Sequence, residues 1–250
     1  MRFMFLGAPG AGKGTFASII SARLGLHLLG AGDMVRAEVQ SGSALGTTFQ
    51  NYSKAGELVP DELIDDIVRK RLGSLEKEGS KGFILEGYPR TTKQALELDK
   101  ITQLDKVLNI ALPEWVCQKK MLGRRHCLTC GRSFNVASVM SEGFDMPAIL
   151  PEGLGCKSTA DCIKSLVKRE DDTPAIIQRR LDLYAAQAAP ILAHYEAQGM
   201  SNQEHIAATW APNRLAAWLA QYRNSTSHGP LTHSLLSPFV ICYGKCFDEW

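Results

Sequence analysis

Gly7-Ala8-Pro9-Gly10-Ala11-Gly12-Lys13-Gly14-Thr15 follows the apolar run Phe3 to Leu6 and leads into a helical pattern. Backbone N–H groups of a glycine-rich turn at a helix start can wrap phosphate oxygens, and glycine is needed where a side chain would block that approach. The usual phosphate-loop spacing puts Ser or Thr directly after the lysine. Here Gly14 intervenes before Thr15. A buried strand, such a loop and a helix, in that order, place the chain among the α/β folds that bind phosphorylated ligands.

Outward from the loop, Phe83 to Leu85 and Val107 to Leu112 lack the polar alternation of half-exposed strands and read as further buried strands of a parallel sheet. Pro60-Asp61 open a segment in which Leu63, Ile64, Ile67, Val68, Leu72 and Leu75 recur at helical spacing and stop before Gly79. Thr173-Pro174 read as N-cap and first position of a later helix with Ile177, Leu181, Tyr184, Ala188, Ile191 and Tyr195 on one stripe and a kink expected at Pro190. Gln203 to Thr209 and Asn213 to Tyr222 read as a last strand and a last helix.

Two segments break the strand–helix rhythm. Residues 31–60 are helical, with glycines at 42, 46 and 56, and read as a mobile flap; residues 126–164 are irregular, hold four cysteines and read as an inserted small domain too poor in apolar residues to own a core. This leaves 1–30, 61–125 and 165–222 as the main domain and 223–250 as an extension outside it.

Composition narrows the function classes. The 250 residues are 45% hydrophobic and 22% charged, which excludes disorder, and 28 basic against 26 acidic residues give a net charge of +2, too small for the footprint of a nucleic-acid binder. The longest apolar stretch, Leu235 to Phe247, is interrupted by Ser237, Pro238, Gly244 and Lys245, whereas a spanning helix needs about 20 apolar residues. No membrane partner is expected. Met1 leads straight into the first strand, so the reading expects no targeting segment and a cytoplasmic location. Seven cysteines, an odd number, suit reduced thiols or a metal site better than a disulfide framework.

The loop in its Gly-Lys-Gly-Thr form resembles that of adenylate kinases, and five further segments in order support the resemblance over about residues 1 to 222: Gly32-Asp33-Met34-Val35-Arg36, Gly56-Glu57-Leu58-Val59-Pro60-Asp61-Glu62, Gly87-Tyr88-Pro89-Arg90-Thr91 with Gln94, Gly123-Arg124-Arg125, and Arg169-Glu170-Asp171-Asp172 with Arg180. The resemblance implies the P-loop nucleoside monophosphate kinase fold, a parallel sheet flanked by helices with a monophosphate-binding flap and a LID, and the reaction ATP + AMP ⇌ 2 ADP with Mg2+ in a monomer.

By that resemblance, Gly10, Ala11, Gly12, Lys13, Gly14, Thr15 and Arg124 bind ATP, and Ala31, Arg36, Glu57, Val59, Gly87, Arg90 and Gln94 bind AMP. Thr15 and Glu86 would orient the Mg2+ shell. Lys13, Arg90, Arg124, Arg169 and Arg180 are the implied catalytic cations. Phosphoryl transfer between two nucleotides gathers many negative charges, so such an enzyme works by positioning and neutralisation. Asp171 and Asp172 read as holders of arginines, and Gln94 as an amide able to meet an adenine edge. Three departures from the family pattern stand out: Ala31 for threonine, Glu86 for aspartate and Lys120 for arginine.

The LID resembles the cysteine-bearing kind of many bacteria and plant organelles. Cys127 and Cys130, two residues apart, form a good half-site for a structural Zn2+; Cys156 and Cys162 have five residues between them, a looser one. Asp161 in place of Cys162, or an empty site, remains open. Also open at this point are a donor of GTP, a nucleotide-binding regulator with little turnover, and an organellar location.

Overall fold

The computed structural model describes residues 1–55, 57, 59–141, 144–154 and 159–199. The expected last strand, last helix and C-terminal extension lie outside these residues.

The chain begins with β1 (Arg2–Gly7), α1 (Lys13–Leu24) and β2 (His27–Gly30). Helices α2 (Ala31–Gln40), α3 (Ala44–Ala55) and α4 (Asp61–Lys77) follow, then β3 (Phe83–Glu86), α5 (Thr92–Ile101), β4 (Lys106–Ile110) and α6 (Glu114–Gly123). After the short elements β5 (Arg124–Cys127), β6 (Ser133–Asn135), α7 (Thr159–Lys164) and β7 (Leu166–Val167) comes the long α8 (Pro174–Ala197).

The four main strands form one parallel sheet in the order β2-β3-β1-β4, with Met4 beside Leu85 and Val107. Strand side chains alternate between faces. Phe3 and Phe5 therefore pack with Ile84, Leu108 and Ile110 against Phe16, Ala17 and Ile20 of α1 and Cys117 and Met121 of α6. Met4 and Leu6 face the other way, onto Val68, Leu72 and Leu75 of α4 and Ala95 and Leu98 of α5. Helix α8 closes both layers, Ile177 and Leu181 on the first and Ile191 and Tyr195 on the second, and remains helical through Pro190. Fully burying each such side chain contributes about 1.5–3 kcal/mol, so these two layers hold the frame on which the loops sit.

Strand β2 was not expected from the sequence. It has four residues, and its first two, His27 and Leu28, are exposed at the sheet edge, so it has no apolar run to mark it. The strand expected over Val107 to Leu112 is β4, which starts at Lys106 and ends at Ile110.

Helices α2 and α3 pack closely: a Cβ on Gly46 would fall 2.3 Å from the Glu38 carbonyl oxygen, and Phe49 is fully buried. Strands β6-β5-β7 form a separate antiparallel sheet. The inserted segment does have small cores, contrary to expectation. Cys127, Phe134 and Cys162 cluster with Leu166, while Val139 and Met146 pack on Val116 of α6 beside the edge-to-face pair Trp115–Phe144. Its thiols replace the branched aliphatics that a sequence reading looks for.

Candidate active site

The glycine-rich loop joins the carboxyl end of β1 to α1, so it lies where parallel sheets present ligands. Gly10 at φ +87 and Gly12 at φ +93 adopt backbone conformations that other residues avoid, and a Cβ on Gly10 would meet the Cys117 carbonyl oxygen at 2.5 Å. Gly12 caps α1, and Thr15 lies half-buried in its first turn. The N–H groups of that turn and the positive end of the helix are what hold a polyphosphate.

Lys13 folds back so that Nζ donates to the carbonyl oxygens of Gly7 at 2.7 Å and Ala8 at 2.9 Å. Its side chain keeps some exposure, yet desolvation of the ammonium brings its pKa down to about 8, against the opposing pull of Glu86. The Glu86 carboxylate ends β3 between two backbones: Oε1 is 3.6 Å from where a Cβ of Gly14 would lie and 3.2 Å from that of Gly30. Thr15 hydroxyl and Glu86 carboxylate are hard oxygen donors at the loop, and this donor set suits a hydrated Mg2+.

Five arginines lie close enough to act on one another electrostatically, and Arg90 and Arg180 act on Lys13 as well. Arg90 donates through Nε to the Gly87 carbonyl at 2.7 Å; desolvation and then the neighbouring Arg180 lower it to about 10, although its side chain is partly open to solvent. Arg169 is likewise lowered to about 10 by desolvation and then by Arg124 and Arg36. Both stay charged at neutral pH. Arg180 pairs with Asp171 at 2.9 Å, Arg124 pairs with Asp172 through two hydrogen bonds, and Arg36 pairs with Asp33. The two aspartates therefore hold arginines, as their position in the sequence suggested. Cations that depress one another at close quarters suit an anion.

Gln94 departs from a solvated surface glutamine. It is buried, with Oε1 accepting from the Arg90 backbone N–H at 2.7 Å and Nε2 donating to Asp61 Oδ1 at 2.8 Å. Thr91, the N-cap of α5, accepts from Gln94 N and donates its hydroxyl to Asp61 Oδ2 at 2.9 Å. Beneath them the Tyr88 hydroxyl donates to Asp65 at 2.6 Å. Asp61 is 33 residues from Gln94, and no local signal marks it as a partner.

Ala31 is buried at the start of α2, its Cβ 3.9 Å from where one on Gly87 would lie. Val59 is half-buried; Glu57 is exposed and bonded at 2.5 Å to Arg179 of α8, a partner the sequence reading missed. Lys120 is buried against the inserted segment, where Nζ donates to the Ala137 carbonyl at 3.3 Å.

In the inserted segment the sulfurs of Cys127, Cys130 and Cys162 lie within 4.8 Å of one another, so Cys162 rather than Asp161 completes this trio. Cys156 lies outside the described residues. Burial would raise the Cys127 thiol, but hydrogen bonds from Cys130, Thr129 and Cys162 bring it down to about 7. Thiolates around a tetrahedral Zn2+, at about 2.3 Å from it, are about 3.8 Å apart, so the trio fits zinc with a small contraction.

Residues 5–200 match the family model for adenylate kinase. The chain is 40% identical over 201 residues to a GTP:AMP phosphotransferase of Plasmodium falciparum, covering 78% of this chain and 85% of that one. Identity to an adenylate kinase of Solanum tuberosum is 43% over 200 residues, covering 80% and 69%. A chloroplastic adenylate kinase 1 of Arabidopsis thaliana is 40% identical over 205 residues, covering 80% and 70%. A parallel sheet with this loop at its mouth, a cluster of mutually coupled arginines and a family match across four-fifths of the sequence lead to one conclusion: the chain belongs to the adenylate kinase family of phosphotransferases.

Proposed function

We propose that this enzyme transfers the terminal phosphoryl group of ATP to AMP, reversibly, giving two ADP. The observation that carries this reading is the cluster of Arg36, Arg90, Arg124, Arg169 and Arg180, each electrostatically coupled to another member of the group, with Arg90 and Arg180 coupled also to the loop lysine. A single phosphate chain needs fewer cations. Two phosphorylated ligands meeting head to head need this many.

Lys13, the loop N–H groups and Arg124 hold the donor phosphates. Arg36 and Arg90 hold the acceptor phosphate, and Arg169 and Arg180 face the group in flight, where they neutralise charge that builds in the transition state. An AMP phosphate loses its second proton at about pH 6, so the attacking oxygen is already ionised and no general base is required. Mg2+, when bound with the donor, would supply charge on the β- and γ-oxygens, oriented through Thr15 and Glu86. Residues 31–60 act as the AMP flap and 126–164 as the LID, and their closure excludes the water that would otherwise compete with AMP. Zn2+, when bound, would be held by Cys127, Cys130 and Cys162, with Cys156 as the expected fourth ligand, and would organise the LID without entering the chemistry.

A monomer is the state that the resemblance to the family implies. Among the described residues no helix is long and apolar enough to cross a membrane. We place the enzyme in the cytoplasm, with an organelle as the alternative that the chloroplastic relative favours. GTP as donor is the second reading, favoured by the similarity to the Plasmodium phosphotransferase. An assay of ADP formation over a panel of mono- and triphosphates tests both. Turnover is expected with ATP and AMP and very little with ATP and water alone. Fast hydrolysis without AMP, or none with any pair, overturns the proposal.

A further inference from the structure

The buried amide of Gln94 has neighbours of opposite chemistry at its two ends. The Arg90 backbone N–H can only donate, and it does so to Oε1 at 2.7 Å; the Asp61 carboxylate can only accept, and it does so from Nε2 at 2.8 Å. Asp61 is itself held, because its other oxygen accepts from the Thr91 hydroxyl at 2.9 Å. Turning the amide over would set oxygen against carboxylate and NH2 against N–H. Both contacts would be lost at a buried position, where unpaired polar groups are costly.

An amide free to turn cannot tell two purine classes apart. Adenine offers an N6 donor beside the N1 acceptor, whereas a 6-oxopurine offers the O6 acceptor beside an N1–H donor. These patterns are reversed, and a freely turning glutamine satisfies either. After Arg90 N and Asp61 are served, Gln94 retains one lone pair and one N–H in a fixed order.

We propose that Asp61 is a positioning residue that locks the Gln94 amide in one orientation and thereby sets the preference for a 6-aminopurine over a 6-oxopurine monophosphate. The inference rests on the reading of Gln94 as a contact to the acceptor base. Asparagine at 61 can donate or accept toward Gln94 and still bond Thr91, so Asp61→Asn removes the carboxylate half of the lock, leaving the Arg90 N–H as the other half, while keeping the pocket filled.

The test compares kcat/KM for AMP and IMP, two acceptors that differ at position 6 and N1, in the wild type, Asp61→Asn and Gln94→Leu. The AMP:IMP ratio is expected to narrow about tenfold in Asp61→Asn, the size of losing one hydrogen bond to a charged group. Because a ratio is independent of the fraction of active enzyme, partial unfolding does not obscure it, and a merely structural role would lower both values together. If Gln94→Leu collapses the ratio while Asp61→Asn leaves it unchanged, the lock is overturned and the reading of Gln94 stands. If Gln94→Leu itself leaves the ratio unchanged, Gln94 does not read the base, and the proposal falls with that reading.

Discussion

Arg124 sets Nε 2.9 Å and Nη2 2.6 Å from the two carboxylate oxygens of Asp172, a side chain with no exposed surface. The fork bonds both oxygens and fixes the orientation of the guanidinium. Removing one partner leaves a desolvated charge. Asp172→Ala should therefore lower unfolding stability by about 3 kcal/mol, the low end for a broken buried pair because Arg124 keeps some solvent contact. Urea denaturation checks the stability, and a raised KM for ATP with a smaller change for AMP checks the orientation.

Lys13→Met removes a preorganised charge at the donor phosphates and should cut kcat by about 10²-fold or more. Steady-state rates with saturating ATP and AMP measure it. A kcat within a few-fold of wild type would show that the loop lysine does not face the transferring group.

The depressed pKa of Lys13, about 8, gives a pH signature. In the free enzyme the ammonium loses its proton as pH rises through that value, so kcat/KM for ATP should fall. Bound phosphates favour the charged form, so kcat should hold to higher pH. The same shift makes the folded state bind fewer protons than the unfolded chain between about pH 8 and the ordinary lysine value of 10.5, so this group's contribution to stability rises with pH there. Parallel pH profiles of kcat and kcat/KM separate the two forms.

Two glycines should respond in opposite directions. Gly10→Ala forces a Cβ into the Cys117 carbonyl at 2.5 Å at φ +87, and should displace the loop, raise the KM for ATP and cost about 2 kcal/mol. Gly73 lies in α4 with nothing near its Cβ position, so Gly73→Ala should add about 0.5–1 kcal/mol and leave turnover alone. Thermal unfolding of the two variants tests the pair.

Protein purified without a histidine tag should contain about one zinc per chain by elemental analysis, the outcome expected for a closed thiolate site. Cys127→Ser should lose the metal and make residues 126–164 more susceptible to proteolysis. Active, zinc-free wild-type enzyme would show that Cys127 and Cys162 pack only as small apolar groups.

The loop, three of the four main strands and the helix that opens at Asp61 were legible because their causes are local. Apolar runs without alternation mark strands buried on both faces, and glycine is demanded wherever φ turns positive beside another backbone. Strand β2 was not legible, since a four-residue edge strand with two exposed residues owes its form to Leu29 and Gly30 pairing with Leu85 and Glu86. The pairing of Cys127 with Cys130 follows from spacing, and Cys162, also expected as a ligand, reaches them because β5 and β7 pair, setting Cys127 beside Leu166. The arginines were named by motif, and their holders Asp171 and Asp172 stood next to Arg169. The partners of Gln94 and Glu57 were beyond reach. Asp61 and Arg179 meet them across 33 and 122 residues, distances closed by packing on the sheet rather than by any periodicity in the chain. Short-range sterics and hydrophobic spacing are written along a sequence, whereas a hydrogen bond's direction depends on which elements the core brings together, and so the orientation of the Gln94 amide belongs to the tertiary structure alone.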